Sequence, residues 1–115
     1  MSTLFQLQAP MNTLKATVKE LAPLWHAGDS LLLLAETSGY LPWLQVYINE
    51  LNGDDESEYR IENIHALYVL ADDLAHLNET ARVNLDVSKV HVISDAQWVA
   101  LTQEVDRVVT LNSLS

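Results

Sequence analysis

The feature that most constrains the fold is an uninterrupted apolar run at residues 31–35, LLLLA, which follows Gly28-Asp29 and Ser30. The run is too short to cross a bilayer, which takes about 20 apolar residues. It also lacks the alternation of a strand with one face in water. Turn-forming residues bound it on both sides, so it favours a strand over a buried helix. It therefore predicts a central strand of a parallel sheet that helices cover on both faces.

The rest of the chain alternates between strand-like and helix-like segments. Strands are predicted at residues 3–8, 30–34, 64–70, 90–93 and 108–111, with the last at a sheet edge. Helices are predicted from a cap at Asn12 or Thr13 to about Ala22, and at residues 40–51, 71–77 and 94–105. This alternation implies right-handed crossovers. We expect an α/β fold in one domain spanning residues 1–115: a three-layer α/β/α arrangement with a mostly parallel five-stranded sheet, flavodoxin-like in outline.

Composition narrows the functional classes. The chain has 115 residues and no cysteine, which excludes disulfides, thiolate metal sites, cysteine nucleophiles and persulfide carriers. Six basic residues against 16 acidic ones give a net charge of −10, a field that repels phosphate, so we expect no direct contact with nucleic acid. The chain does not open with a basic stretch and an apolar stretch of the secretory kind. We therefore expect a cytoplasmic protein without membrane contact.

The common catalytic and cofactor motifs are absent from the sequence. There is no glycine-rich phosphate loop, no H-E-x-x-H and no G-x-S-x-G. The four histidines lie in four different predicted elements, and the acidic segment 54–58 is interpreted as a solvated insertion. Asp72 and Asp73 are explained by the dipole of the helix that they begin. Thr37 and Ser38 have no base beside them in sequence. We expect no catalytic, cofactor-binding or metal-binding residues, and no catalytic activity from this chain alone.

The predicted helix at residues 40–51 is apolar on nearly every side. One face carries Leu41, Leu44, Ile48 and Leu51, and another carries Trp43, Val46 and Tyr47. A peripheral helix of a small domain is rarely buried all round, and aromatic residues are favoured interface anchors. Tyr40, Trp43 and Tyr47 are therefore our candidate interface residues. The alternative is that these rings pack inside the domain, and the same two interpretations apply to Trp25.

Four segments resemble, in order, motifs of the DsrH/TusB family of DsrE/DsrF/DsrH-like sulfur-relay proteins. Residues 1–10 are similar to that family's short first strand ending in Ser-Pro, and residues 28–34, GDSLLLL, match G-D-x-L-L-L-L. Residues 64–77, IHALYVLADDLAHL, resemble a strand that runs into Y-x-L-x-x-D-L-x-x-R-G. Residues 92–102, VISDAQWVALT, resemble I-S-Y-x-x-F-V-x-L-T. The chain departs from the family at residues 35–39, where AETSG replaces Glu-Asp-Gly-Val.

The resemblance implies a non-catalytic subunit of a sulfur-relay (sulfurtransferase) complex. Such subunits assemble with DsrE/TusD-like and DsrF/TusC-like proteins into a heterohexamer. One branch supports 2-thiolation of the tRNA wobble uridine, with the carrier cysteine on the TusD-type subunit, and the other supports sulfur oxidation. Because persulfide transfer needs a thiolate and this chain has none, its expected role is architectural.

A second hypothesis places the chain in another class. It is then a free-standing flavodoxin-like or receiver-like binding module that uses the strand ends near Glu36, Thr37, Ser38 and Asp72. A receiver also needs a lysine after its fourth strand, and none follows Ile93. A homo-oligomer of the chain alone is compatible with either hypothesis.

Overall fold

The computed structural model describes residues 2–53, 60–76 and 90–112. Strands and helices alternate along the chain, as predicted. The elements are β1 (Thr3–Gln8), α1 (Met11–Leu21), β2 (Ser30–Leu33), α2 (Leu41–Gly53), β3 (Ala66–Leu70), α3 (Ala71–Ala75), β4 (His91–Ile93), α4 (Asp95–Glu104) and β5 (Arg107–Asn112). Two 3-10 helices, Ala22–Leu24 and Ala35–Tyr40, follow α1 and β2.

The five strands form one parallel sheet in the order β4-β3-β2-β1-β5. The predicted α/β class and parallel five-stranded sheet are therefore confirmed. β2 is the middle strand and all four of its residues are buried, as the apolar run predicts. β5 lies at an edge, also as predicted. The strands β1 to β4 follow one another in one direction across the sheet, and β5 then pairs with the other side of β1. The strand order therefore reverses between β1 and β5.

Side chains on the two faces of the sheet build two core clusters. The larger cluster packs α1 and α2 on the face that carries Phe5, Leu31 and Val69. The smaller cluster packs α4 on the opposite face, which carries Leu4 and Leu32. Alternate strand residues point to opposite faces, so one strand supplies both clusters. This arrangement gives the three layers expected from the sequence.

Several boundaries differ from the sequence predictions for identifiable reasons. The predicted cap at Asn12 or Thr13 is wrong: α1 begins at Met11, directly after Pro10, which has an extended backbone and no side-chain cap. Pro is favoured where the chain enters a helix because no amide hydrogen bond is lost there. The loop expected at residues 36–39 is part of the 3-10 helix, and Tyr40 belongs to that helix rather than to α2. α2 continues through Gly53, beyond the expected end at residue 51.

Two further local predictions are confirmed, and one strand begins later than expected. α1 ends before Pro23, where a 3-10 turn takes over, as expected from the missing proline amide. The predicted capping box at Ser94 and Gln97 forms: each side chain accepts a hydrogen bond from the other residue's backbone amide. β3 starts at Ala66, two residues later than predicted. The acidic segment 54–58 lies outside the described residues. The predicted end of the third helix at residue 77 is wrong, because α3 ends at Ala75 with His76 as its carboxyl cap.

Candidate functional site

The carboxyl end of the sheet is where open α/β folds bind ligands. Thr37 and Ser38 lie there, and both are 0% exposed. The Thr37 Oγ1 accepts the Ala9 amide at 2.9 Å and donates to the Ala9 carbonyl at 3.1 Å. The Ser38 Oγ donates to the Ala35 carbonyl at 2.7 Å. Both hydroxyls are therefore engaged with the main chain, and neither is presented to a substrate.

The Asp73 carboxylate also lies at this carboxyl end of the sheet. Ala35 has φ +53°, in the left-handed region, and its amide donates to the Asp73 Oδ2 at 2.7 Å. A left-handed alanine costs about 1 kcal/mol. The hydrogen bond to Asp73 therefore stabilises a strained backbone conformation shortly after the end of β2. Asp72 is exposed in the first turn of α3, and its carbonyl contacts the His76 Nδ1 at 2.6 Å. The Asp73 carboxylate is thus engaged with the main chain, whereas the Asp72 side chain is exposed.

A second polar cluster lies at the amino end of the sheet, beside the reversal of strand order. Asp29 is 1% exposed, and its Oδ1 accepts the Thr3 amide at 3.1 Å while its Oδ2 accepts the His26 amide at 2.9 Å. Gly28 precedes it with φ +95°, a conformation that side chains disfavour. The Gly-Asp pair thereby ties the turn before β2 to the first residue of β1. A cleft of about 380 Å³ opens beside it, lined also by Asp106 and Arg107.

Two of the four histidines line the same cleft, although they lie in different elements. His65 and His91 both line a cleft of about 620 Å³ that α2 borders with Pro42, Val46 and Asn49. Sequence reasoning missed this convergence, although both histidines immediately precede or begin neighbouring parallel strands. Both side chains are exposed, and no cluster of three or more metal-ligating side chains occurs within residues 2–53, 60–76 and 90–112.

His91 also lies beside an aromatic ring on β3. The rings of Tyr68 on β3 and His91 on β4 lie 5.4 Å apart and are tilted. Burial raises the pKa of Tyr68 above its ordinary value, and the nearby Glu104 carboxylate raises it further. The Tyr68 ring lines a groove beside α4 together with Ile93 and Leu101.

The candidate interface residues are distributed between the core and the surface. Trp43 and Tyr47 stack with ring centroids 5.0 Å apart, and the Lys15 Nζ lies 5.5 Å from the Tyr47 ring centre. Tyr47 is 7% exposed, while Trp43 and Tyr40 are partly buried against the larger core cluster. The most exposed large apolar side chain on α2 is Val46, at 58%. Of the three candidate interface residues, Tyr47 is therefore mostly covered, and Val46 with the partly buried Trp43 presents the apolar surface of α2.

Trp25 packs against the core of the domain, which is the second of the two interpretations offered for it. Its ring packs 5.6 Å from Phe5, and its Nε1 donates to the Glu62 carbonyl at 2.8 Å. Because both its ring and its donor have partners within the chain, this tryptophan stabilises the approach to β2 rather than extending the α2 surface.

A scan against models of protein families and a search of curated proteins give no match to this chain. The likeness to the DsrH/TusB family therefore rests on the sequence motifs. None of the helices in the described part of the chain has the length and apolar character needed to cross a membrane.

Proposed function

We propose that this chain is a non-catalytic, TusB-like subunit of a cytoplasmic sulfur-relay complex. The complex supports 2-thiolation of the tRNA wobble uridine or, in the DsrH branch, sulfur oxidation. Its partners are DsrE/TusD-like and DsrF/TusC-like subunits. The observation that carries the proposal is the absence of any thiol from a chain whose four motif segments follow the family order.

The chemistry of the relay assigns the sulfur to a partner. A persulfide is formed on, and attacked by, cysteine thiolates, and this chain supplies none. Its strand-end hydroxyls are poor substitutes because Thr37 and Ser38 are buried and hydrogen-bonded to the main chain. The contribution that remains is to hold or shape the partners that carry the cysteines.

The α2 surface supports such a role. Val46 presents an apolar side chain to solvent, and the Trp43–Tyr47 stack fixes the ring beside it. An ordered aromatic loses little conformational freedom when a partner covers it, which is why such rings often anchor interfaces. A partner that covers Val46 removes its apolar surface from water, and lysine at this position would lose that contribution and place a charge in the contact.

The test is co-expression with the DsrE/TusD-like and DsrF/TusC-like proteins of the same genome, followed by size-exclusion chromatography. Val46→Lys is compared with Val99→Lys, since Val99 on α4 is 56% exposed and matches Val46 at 58%. We expect the wild type and Val99→Lys to elute with the partners, and Val46→Lys and Trp43→Ser to elute separately. Equal retention of all four proteins would remove α2 from the interface, and a wild-type chain that elutes alone would overturn the proposed function.

A further inference from the structure

β5 is an edge strand of the sheet that the described residues form. It is six residues long and pairs only with β1 among the described strands. Residues 108–112, VVTLN, contain neither charge nor proline. Natural edge strands are normally protected by charges, proline, bulges or short length. β4, at the opposite edge, is protected by its length of three residues, whereas β5 has none of these protections over residues 108–112.

The register shows which main-chain groups face outward. Thr3 lies beside Arg107, and the Arg107 amide donates to the Ser2 carbonyl at 3.3 Å. Since successive residues of a strand point their amides to opposite sides, those of Val109 and Leu111 also point towards β1. The amides and carbonyls of Val108, Thr110 and Asn112 consequently point away from the sheet.

We propose that β5 pairs antiparallel with β5 of a second copy, joining the two sheets across a two-fold axis. An axis through Thr110 opposes Thr110 with its own symmetry mate and Val108 with Asn112. These pairs use every outward-facing group and form about six main-chain hydrogen bonds. The same axis keeps each face of one sheet continuous with the same face of the other.

Symmetry and charge favour a second copy over other occupants. Pairing β5 with β4 of another copy would use only three residues and would extend into an open chain, whereas β5 with β5 closes on itself. The strand is uncharged where the copies meet, and the two Arg107 side chains lie roughly 20 Å apart, beyond a Debye length at physiological salt. Because each chain carries −10 overall, the dimer is weak and is tightened by added salt.

The test is sedimentation velocity of the full chain over a wide range of protein concentrations, at low and at high salt. Val108→Pro removes an outward amide that makes no hydrogen bond to residues 2–53, 60–76 or 90–112, and Val108→Thr is the matched control that retains it. We expect the wild type and Val108→Thr to dimerise, more tightly at high salt, and Val108→Pro to dimerise at least about tenfold more weakly. Val46→Lys should dimerise normally, because Val46 lines the cleft beside β3 and His91 of β4, on the other side of the sheet from β5.

Amide hydrogen exchange provides a second readout. The Thr110 amide should become protected as protein concentration rises, while the Val109 amide, which faces β1, should be protected at all concentrations. The inference is overturned by a wild type that stays monomeric throughout, by Val108→Pro dimerising like Val108→Thr, or by affinity that falls with salt. Loss of dimerisation in Val46→Lys would also overturn it, because the contact would then involve α2.

Discussion

Replacing Asp29 is the sharpest test of how the amino end of the sheet is held. In Asp29→Ala, the Thr3 and His26 amides lose the carboxylate oxygens that accept them at 3.1 and 2.9 Å. A hydrogen bond to a charged group contributes about 1.5–3 kcal/mol, and a buried donor left unsatisfied costs about 1–3 kcal/mol. Thr3 is buried and bears the full cost, whereas water reaches the turn at His26 more easily. We expect a total loss of about 2–4 kcal/mol in the free energy of unfolding.

The assay is urea unfolding followed by circular dichroism, with two comparison variants. Asp29→Asn keeps one acceptor oxygen but loses the charge, so it should lie between the wild type and Asp29→Ala. Asp106→Ala is the matched control: its Oδ2 also accepts a backbone amide, that of Ser2 at 2.8 Å, but in an exposed position. We expect at most about 1 kcal/mol from that change.

The outcome separates a structural role from a binding role. If Asp29→Ala unfolds at the same urea concentration as Asp106→Ala, the carboxylate does not hold the two segments together. The Gly28-Asp29 pair would then need another explanation, such as contact with a ligand in the adjacent cleft. If the loss is as large as expected, the pair is present because β1 and the turn before β2 depend on it.

Three smaller perturbations test the other contacts. Thr37→Val should cost about 1–3 kcal/mol in urea unfolding because it leaves buried main-chain groups unpaired; equal stability of Thr37→Val and Thr37→Ser would contradict the hydroxyl's role. Ser94→Ala should cost about 0.5–2 kcal/mol through loss of the cap, and an unchanged midpoint would refute this. Because the pKa of Tyr68 is higher in the folded state, its protonated phenol contributes fully to stability below the unfolded pKa of about 10. This contribution is lost as the pH rises through the folded pKa. Glu104→Gln should therefore shift tyrosinate absorbance at this residue to lower pH, and an unchanged onset would contradict the assigned cause.

The sheet was accessible from sequence because its central strands have a simple signature. Residues 31–33 and 66–70 lie in interior strands and are apolar without interruption, and turn-forming residues bound the first of them. The Ser94 cap was equally readable because both of its partners lie within one turn of the helix. Patterns that depend on near neighbours were therefore predicted correctly.

Contacts between distant segments were not accessible in the same way. Asp29 meets Thr3 across 26 residues, and Thr37 meets Ala9 across 28. Nothing in the local pattern distinguishes these polar residues from exposed ones in a loop. The left-handed conformation of Ala35 could not be predicted either, because glycine or asparagine is the usual residue in that conformation. The second hypothesis used the strand ends near Thr37 and Ser38 for binding, but both hydroxyls are buried and bonded to the main chain.

The interface prediction shows the limit of helical periodicity. The pattern identified α2 as apolar on too many sides, and Val46 is indeed exposed. It did not distinguish Tyr47, which packs beneath Trp43 and beside Lys15, because the positions of α1 and α2 on the sheet decide which flank is covered. Docking through α2 remains a prediction that the variant comparison tests.

The most direct measurement of the relay role is native mass spectrometry of this chain co-expressed with its DsrE/TusD-like and DsrF/TusC-like partners and supplied with a persulfide donor. The architectural account predicts one mixed assembly, in which dissociation releases this chain at its unmodified mass and the added sulfur stays on a partner. Sulfur covalently attached to this chain, or a chain that never enters the assembly, would contradict it.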